Sequence, residues 1–287
     1  IGNYFLIKKQ LKSLGFKLKL KKINELKNQN FKKNLLIYDV PLSFKNPFKV
    51  PIENKSKYII RSFDTALAMF KKKSLFGLIN CPIDKKETFG KKFSGITEFL
   101  AKKENILGKE VMLIYNKQLS VSPITTHMRL KKVPNSISKN KIIKKITIIN
   151  NFFLKIFKIK PKIGVLGLNP HNNEMVRDSE EVKIIIPAIK QLKRKKISVF
   201  GPISPDTSFM NFKKKKFNVL VGMYHDQVLS PFKSIFKFDA INITLGISFL
   251  RISPDHGIGK EIVKKNIANP KSLLESIKFF EKINVKT

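Results

Sequence analysis

Residues 163–200 read IGVLGLNPHNNEMVRDSEEVKIIIPAIKQLKRKKISVF and combine two short apolar runs with a longer segment of helical period. The runs at 163–168 and 197–200 are rich in isoleucine, valine and leucine, which is typical of buried β-strands. Between them, apolar residues from Val182 to Leu192 recur on one helical face, and lysine and glutamate occupy the other. Alternation of this kind predicts an α/β protein with a largely parallel sheet.

The same alternation extends over the rest of the chain. Short β-branched runs predict strands at Leu35–Val40, Leu75–Asn80, Val111–Tyr115, Ser120–Ile124, Ile163–Leu168, Ile197–Phe200, Val219–Met223 and Ile241–Leu245. Longer lysine-rich stretches of helical period predict helices at Tyr4–Leu14, Asp64–Lys72, Thr97–Lys103, Ser138–Phe157, Glu180–Lys195 and Ser272–Ile283.

The composition describes a folded but very basic protein. The chain has 287 residues, a formal charge of +38 and 42% hydrophobic residues, which is too apolar for a disordered polycation. A single core stops growing near roughly 250–300 residues, so two lobes are expected. Only five of the 58 basic residues are arginine, and lysine, asparagine, isoleucine and phenylalanine are all residues of A/T-rich codons. Since nucleic-acid surfaces favour arginine, we attribute the charge to genome composition and expect no specific nucleic-acid partner.

The cysteine count and the hydropathy pattern restrict the cellular compartment and the kinds of cross-link or membrane segment expected for this protein. Cys81 is the sole cysteine, which excludes an intrachain disulfide framework and a cysteine-based zinc cage. A reducing, cytoplasmic location is expected. No apolar run reaches the roughly 18–20 residues of a membrane span. The chain begins at Ile1 rather than methionine, so it leaves open whether a further segment precedes it.

Four histidines are the scarcest chemical groups in the chain. His127, His171, His225 and His256 each follow an apolar, strand-like run, and ligands of open α/β sheets bind at the carboxyl ends of strands. Their separations match no local metal motif, so spacing alone leaves open a metal site or scattered structural histidines. Neither a glycine-rich dinucleotide turn nor a P-loop is present.

Polar residues near these histidines are further candidates. Asp226 and Asp255 adjoin two of the histidines and serve either as orienting carboxylates or as ordinary turn residues. Arg251 follows an apolar stretch in a chain with few arginines, which favours a specific anionic partner.

Nine segments form an ordered set of motifs along the chain: Asn80–Lys85, Ser94–Glu98, Thr125–His127, Gly167–His171, Ser179–Glu181, Gly201–Phe209, Met223–Gln227, Asn242–Gly246 and Arg251–Gly257. Taken in this order, they resemble the 4-hydroxythreonine-4-phosphate dehydrogenase family of vitamin B6 biosynthesis. The resemblance implies a two-lobed α/β/α fold like that of isocitrate and isopropylmalate dehydrogenases, with a cleft between the lobes. It also implies a homodimer with its active sites at the subunit interface.

The resemblance assigns functional residues by motif. It implies that His127, His171 and His225 bind a divalent metal ion, which could be zinc, magnesium or cobalt. It further implies that four residues contact the substrate, namely Thr97, Lys233, Asn242 and Arg251. The implied reaction is the oxidation of 4-phosphooxy-L-threonine by NAD or NADP, followed by decarboxylation to 3-amino-2-oxopropyl phosphate. No catalytic residue or dinucleotide contact is assigned.

Three features complete the sequence-based expectations. The lobes are expected at 1–103 with 235–287, and at 104–234 with the dimer interface. Ile96 stands where the family has histidine, and Asn172–Asp178 replaces a glycine-rich stretch. Two alternatives therefore remain. One is a related dehydrogenase of another phosphorylated hydroxy acid, and the other is a basic nucleic-acid-binding homologue that has lost catalysis.

Overall fold

The computed structural model describes residues 1–26, 34–93 and 95–284. Its helices are α1 Tyr4–Ser13, α2 Ile52–Lys71, α3 Lys85–Phe89, α4 Ile96–Lys103, α5 Lys139–Phe152, α6 Ile186–Arg194, α7 Pro205–Ser208, α8 His225–Phe236 and α9 Lys271–Asn284. Its strands are β1 Leu20–Ile23, β2 Leu35–Tyr38, β3 Gly77–Ile79, β4 Val111–Tyr115, β5 Ser120–Pro123, β6 Ile163–Leu166, β7 Val199–Ile203, β8 Val219–Gly222, β9 Ile241–Leu245 and β10 Leu250–Pro254.

The chain forms two compact units. The first contains residues 1–78, 82–95 and 257–269, and the second contains 79–81, 96–256 and 270–287. This division differs from the boundaries expected at 103 and 235, because β9, β10 and α9 join the same sheet and core as β4 and β5. Residues 235–256 therefore fold with the second unit.

A small parallel sheet organises the first unit. Strands β1 and β2 pair in parallel, and Gly2 bridges to Asp39 at the end of β2. Helix α1 begins after Asn3, whose side chain accepts a hydrogen bond from the backbone N–H of Leu6. Lys260 joins Asp84 and Glu87 through ion pairs, which fasten the 257–269 segment to α3.

A large mixed sheet organises the second unit. Its order is β3-β10-β9-β4-β5-β8-β6-β7. Strands β5, β8, β6 and β7 are parallel, whereas β10, β9, β4 and β5 pair antiparallel. The expectation of a largely parallel sheet is therefore wrong for half of it.

Helices cover both faces of this sheet, so the expected α/β/α layering is confirmed. Strand residues such as Val221 and Ile243 pack against α5, α6 and α9 on one face. Their neighbours Leu220 and Ile114 pack against α8 on the other. Successive residues of a strand point to opposite faces, which explains the continuous apolar runs of these strands.

The sequence predicted most elements but not all. Two strands, Val111–Tyr115 and Ile241–Leu245, have their predicted bounds, and β6 lies within its predicted range. The prediction missed α8, which begins with polar residues and contains Pro231, and it missed the strands β1 and β10. It also missed the first half of α2. Within the described part of the chain, no helix has the length and hydropathy needed to cross a membrane.

Candidate active site

Three predicted histidines lie beyond the carboxyl ends of three neighbouring parallel strands. His127 follows β5, His225 follows β8, and His171 follows β6. The expectation that the histidines follow strands at one edge of a sheet is confirmed for these three. It is wrong for His256, because β10, which precedes it, runs opposite to β5, β8 and β6.

His127 and His225 form a close pair. Their ring centroids are 5.6 Å apart, and about a third of each side chain is exposed. Nδ1 of His127 lies 3.3 Å from Oε1 of Glu98, and Nδ1 of His225 lies 2.7 Å from Oδ1 of Asp226. A carboxylate at Nδ1 favours the tautomer that carries its proton there, which leaves Nε2 as the electron-pair donor. Asp226 therefore has the orienting contact considered from sequence, whereas Glu98 was not foreseen.

His171 has different surroundings. Its side chain is 71% exposed, and its ring nitrogens lie 3.7 Å from carboxylates of Glu174 and Asp206. The residues from His171 to Met175 all have φ between 44° and 58°, the left-handed region. Among the described residues, no group of three or more histidine, cysteine or acidic side chains is arranged to hold a metal ion. One copy of the chain therefore brings together two of the three expected ligands.

A polar stripe on β9 and β10 brings together further predicted residues. Arg251 is 2% exposed, and its Nε donates to Oδ1 of Asn80 at 2.6 Å. Its Nη1 donates to Oγ1 of Thr244 at 2.9 Å, and that oxygen lies 3.3 Å from Oγ1 of Thr97. Burial lowers the pKa of Arg251 to about 10, although Glu98 acts in the opposite direction. Asn242 lies two residues before Thr244, and its buried Oδ1 has no hydrogen-bond partner.

Lys233 pairs with a buried carboxylate. Its Nζ lies 3.3 Å from Oδ2 of Asp255, whose side chain is only 10% exposed. Burial raises the pKa of the Asp255 carboxyl, and Lys233 partly offsets that effect. The backbone N–H of Asp255 donates to the hydroxyl of Ser272, which fixes the main chain at this residue. Lys233 is thus held by a specific acidic partner in a chain where most lysines lie on the surface.

Sequence reasoning missed several residues that build this site. Asn80, Glu98 and Thr244 all lie inside the family motifs given above. Those motifs indicated the family, but no role was assigned to these three residues. Lys145 is 8% exposed, and burial lowers its pKa to about 8 while Glu110 and Glu98 act in the opposite direction. Nothing in a lysine-rich sequence distinguishes Lys145 from its neighbours.

One position of the motif at 94–98 differs from the family. Ile96 is the first residue of α4 and is 7% exposed, so this chain has an apolar, buried side chain beside Thr97. Ser94, part of the same motif, lies outside the described residues.

The residues fit a divalent metal ion in part. Two imidazoles whose Nδ1 atoms face carboxylates form a donor set that suits zinc, cobalt or similar ions. His127 and His225 fit as two ligands of such an ion, and a further ligand has to join them.

Comparison with known proteins agrees with the motifs. The family model described as pyridoxal phosphate biosynthetic protein PdxA matches residues 1–280. A 4-hydroxythreonine-4-phosphate dehydrogenase of Aquifex aeolicus is 38% identical over 274 residues, covering 94% of this chain and 84% of that protein. The protein of the same name from a Sulfurihydrogenibium species is 38% identical over 284 residues, covering 96% and 85%.

A solved structure is similar as well. The crystal structure of 4-hydroxythreonine-4-phosphate dehydrogenase from Klebsiella pneumoniae superposes with a TM-score of 0.85 at 27% identity, covering 98% of this chain and 86% of that one. The family match spans nearly the whole chain and includes each motif described above. The chain therefore belongs to the PdxA family of pyridoxal phosphate biosynthetic proteins.

Proposed function

We propose that this protein is a 4-hydroxythreonine-4-phosphate dehydrogenase. It oxidises the 3-hydroxyl of 4-phosphooxy-L-threonine with NAD or NADP, and the resulting 3-oxo acid loses carbon dioxide to give 3-amino-2-oxopropyl phosphate for pyridoxine 5'-phosphate synthesis. The observation that carries the proposal is the His127–His225 pair with its two carboxylates, next to the helix that supplies Thr97 and Glu98. The names of the relatives at 38% identity support the same activity.

The basic and polar residues have separate tasks in this reaction. Arg251 engages two of its N–H groups with Asn80 and Thr244, which aligns the guanidinium and leaves donors for a carboxylate or phosphate. Lys233 supplies a second positive charge, held in place by Asp255. Asn242 and Thr97 offer hydrogen bonds that orient the hydroxyamino acid, so that the hydrogen on its C3 faces the nicotinamide.

His127, His171 and His225 would hold the divalent ion. When bound, the ion lowers the pKa of the substrate hydroxyl and polarises the carbonyl that must accept electrons during decarboxylation. The chain's own part is to present unprotonated Nε2 atoms, which Glu98 and Asp226 favour by occupying the Nδ1 side of each ring.

The active form is a homodimer in which each site uses residues of both subunits. Exposed apolar residues flank the turns that carry His127 and His171, among them Met128, Leu130, Met175 and Val176. Such residues favour burial against another protein surface. A second copy would cover them and bring the partner's turn at residue 171 towards the His127–His225 pair.

Mixing two inactive variants tests this arrangement. A heterodimer of His171→Ala and His225→Ala subunits keeps one complete site, so an equal mixture that exchanges subunits should regain about a quarter of the wild-type activity. Each variant alone stays inactive. Absence of any recovery, with heterodimers demonstrated by native mass spectrometry, would contradict the shared site.

The decisive measurement for the activity combines metal content with NAD reduction. Wild-type protein should form NADH or NADPH on the phosphorylated substrate, lose this activity after chelation, and regain it with zinc, magnesium or cobalt. Turnover by a metal-free preparation would defeat the proposal. Profiling of other phosphorylated hydroxy acids, with an Ile96→His variant beside the wild type, tests the alternative substrate.

The nucleic-acid alternative makes a different prediction about salt. Incidental binding through surface lysines collapses steeply as salt rises, because counterions compete for the phosphates. We propose a cytoplasmic enzyme with no specific nucleic-acid partner, so binding of DNA or RNA should vanish at moderate salt.

A further inference from the structure

Gln227 bridges the ends of two neighbouring strands. It lies in the first turn of α8, two residues after His225. Its Oε1 accepts a hydrogen bond from the backbone N–H of Met223 at 2.6 Å, and its Nε2 donates to the backbone oxygen of Gly167 at 2.7 Å. One amide therefore joins the segment that leads into His225 to the segment that leads into His171.

Glycines stand at the ends of both strands, where a side chain would collide with neighbouring groups. A Cβ atom at Gly222 would lie 2.7 Å from Oε1 of Gln227 and 2.6 Å from Cγ1 of Val228. A Cβ atom at Gly167 would lie 2.2 Å from Oδ1 of Asn172 and 3.1 Å from Oε1 of Glu181. Contacts below 3.0 Å force a shift of neighbouring atoms, so a side chain at position 222 would disturb Gln227 itself, and one at position 167 would disturb Asn172 and the Glu181 contact on the same segment.

Glu181 fixes the other side of the same segment. Its Oε1 accepts the backbone N–H groups of Leu168 and Asn169 at 2.7 and 2.9 Å, and the residue is fully buried. Burial alone would raise the pKa of the Glu181 carboxyl, but the hydrogen bonds from Asn169 and Leu168 lower it below its usual value. The carbonyl of Gly167 and the two N–H groups after it are thus held by side chains from two different elements.

The two anchors differ in what they reach. Glu181 belongs to the segment that precedes α6, and its contacts stay within the β6 side of the site. Gln227, in contrast, contacts the backbone beyond the ends of both β6 and β8. Left-handed backbone conformations make the turn after Pro170 costly, since each non-glycine residue there loses roughly 1–2 kcal/mol. A turn of this kind needs firm anchors to keep one position.

We propose that Gln227 is a positioning residue that fixes the turn carrying His171 relative to the helix start carrying His225. This inference rests on the proposed function, in which both histidines serve one site. The amide sets the separation of the two backbone segments from inside one subunit, whichever subunit's histidines meet at the substrate.

Replacement of Gln227 by Glu is the sharpest test. It keeps the size of the side chain and the acceptor for Met223, but it places a carboxylate oxygen against the carbonyl of Gly167. Asn116→Asp is the matched control, because Asn116 makes the same double bridge elsewhere in the sheet: it accepts from the N–H of Gln118 and donates to the carbonyl of Asp239.

Hydrogen exchange of the metal-free protein gives a reading that is independent of activity. In Gln227→Glu, the amides of Leu168, Asn169 and Asn172 should exchange at least tenfold faster, while the amides of β4 and β9 keep their wild-type rates. In Asn116→Asp, the amides of β4 and β9 should exchange faster, while those of Leu168, Asn169 and Asn172 keep their wild-type rates. Unchanged exchange at residues 168–172 in Gln227→Glu would overturn the proposal.

Metal binding and kinetics complete the test. Loss of an outer contact of this type typically costs about 10–100-fold in metal affinity or activity. We expect Gln227→Glu to weaken zinc binding and lower kcat within this range, with KM within about threefold, and Asn116→Asp to leave all three unchanged. Equal losses in both variants would show a general structural effect and would overturn the inference.

A second variant keeps the inference testable if Gln227→Glu does not fold. Gln227→Met has similar volume and no charge, and it should show the same local exchange as Gln227→Glu. Failure of the proposed function would appear separately, as absence of substrate oxidation by the wild type, and the exchange comparison would still decide the role of Gln227.

Discussion

The His127–His225 pair and the turn at His171 are built in opposite ways. Each ring of the pair has a carboxylate at Nδ1 and is two-thirds buried, whereas His171 is mostly exposed and has only 3.7 Å contacts to its acidic neighbours. The pair follows strand ends with ordinary backbone angles, and the turn has five successive left-handed residues. One chain thus brings together two of the three histidines expected to bind the metal ion, and it holds the third in a separate, exposed turn.

The largest expected effect comes from removing either kind of histidine. His225→Ala and His171→Ala should each lower kcat/KM by about a thousandfold or more, because in the proposed three-histidine site each supplies one ligand of the metal ion. Metal analysis of the purified variants should show loss of the bound ion in both. A His171→Ala protein with wild-type metal content and turnover would contradict this comparison, because it would show that the His127–His225 pair binds the metal ion without His171.

The next effect concerns the buried charge near the pair. Burial lowers the pKa of Lys145 from 10.5 to about 8, so below pH 8 the folded protein carries a desolvated ammonium group. As the pH rises from about 8 to 10.5, the folded protein releases this proton before the unfolded chain does, and its stability therefore rises. At about 1.4 kcal/mol per pKa unit, the penalty at pH 7 is on the order of 3 kcal/mol.

Lys145→Met should remove this penalty and its pH dependence. We expect the free energy of unfolding at pH 7 to rise by up to about 3 kcal/mol, with a smaller gain at pH 10. Lys144→Met is the matched control, since its exposed side chain should change stability by no more than about 0.5 kcal/mol. Denaturant titrations at both pH values provide the measurement. A destabilised Lys145→Met would mean that the ammonium is needed to compensate Glu110.

Replacing the carboxylates beside the histidines compares the two regions directly. Glu98→Gln removes the charged partner of His127 and should weaken metal binding by about 10–100-fold. Glu174→Gln changes the exposed partner of His171 and should alter affinity by less than about threefold, because exposed pairs contribute little. Calorimetric titration with zinc measures both. Equal losses would contradict the difference inferred between the pair and the turn.

The smallest effect concerns backbone strain in the turn. Glu174 has φ of 44°, so Glu174→Gly should raise the free energy of unfolding by about 1 kcal/mol. Asn173→Gly should gain less, because asparagine tolerates left-handed conformations. Thermal or denaturant unfolding at pH 7 measures these differences. A loss of stability in Glu174→Gly would show that the acidic side chain matters more than the backbone strain.

Local pattern was enough to place most of the framework. The strand at Val111–Tyr115 is apolar on both faces and has its predicted bounds, and the apolar face of α6 packs into the core as its period indicates. Helix α8 was missed, because its first turn is polar and Pro231 lies inside it. Its buried face, including Phe232, stabilises the helix against β5 and β8, and such tertiary packing overrides weak local preference.

The sequence by itself determined most of the elements, the family and the identity of the chemical groups, because periodicity, glycine positions and motif order can all be read along the chain. Only the tertiary structure decided which groups meet: that Glu98 faces His127, that Lys233 pairs with Asp255, and that Gln227 reaches Gly167. Those contacts join residues 22 to 60 positions apart, and their formation depends on strand order and on the direction of pairing. The periodicity of a single segment reveals neither the strand order nor the direction of pairing. Half of this sheet is antiparallel, although its parallel and antiparallel strands look alike in sequence.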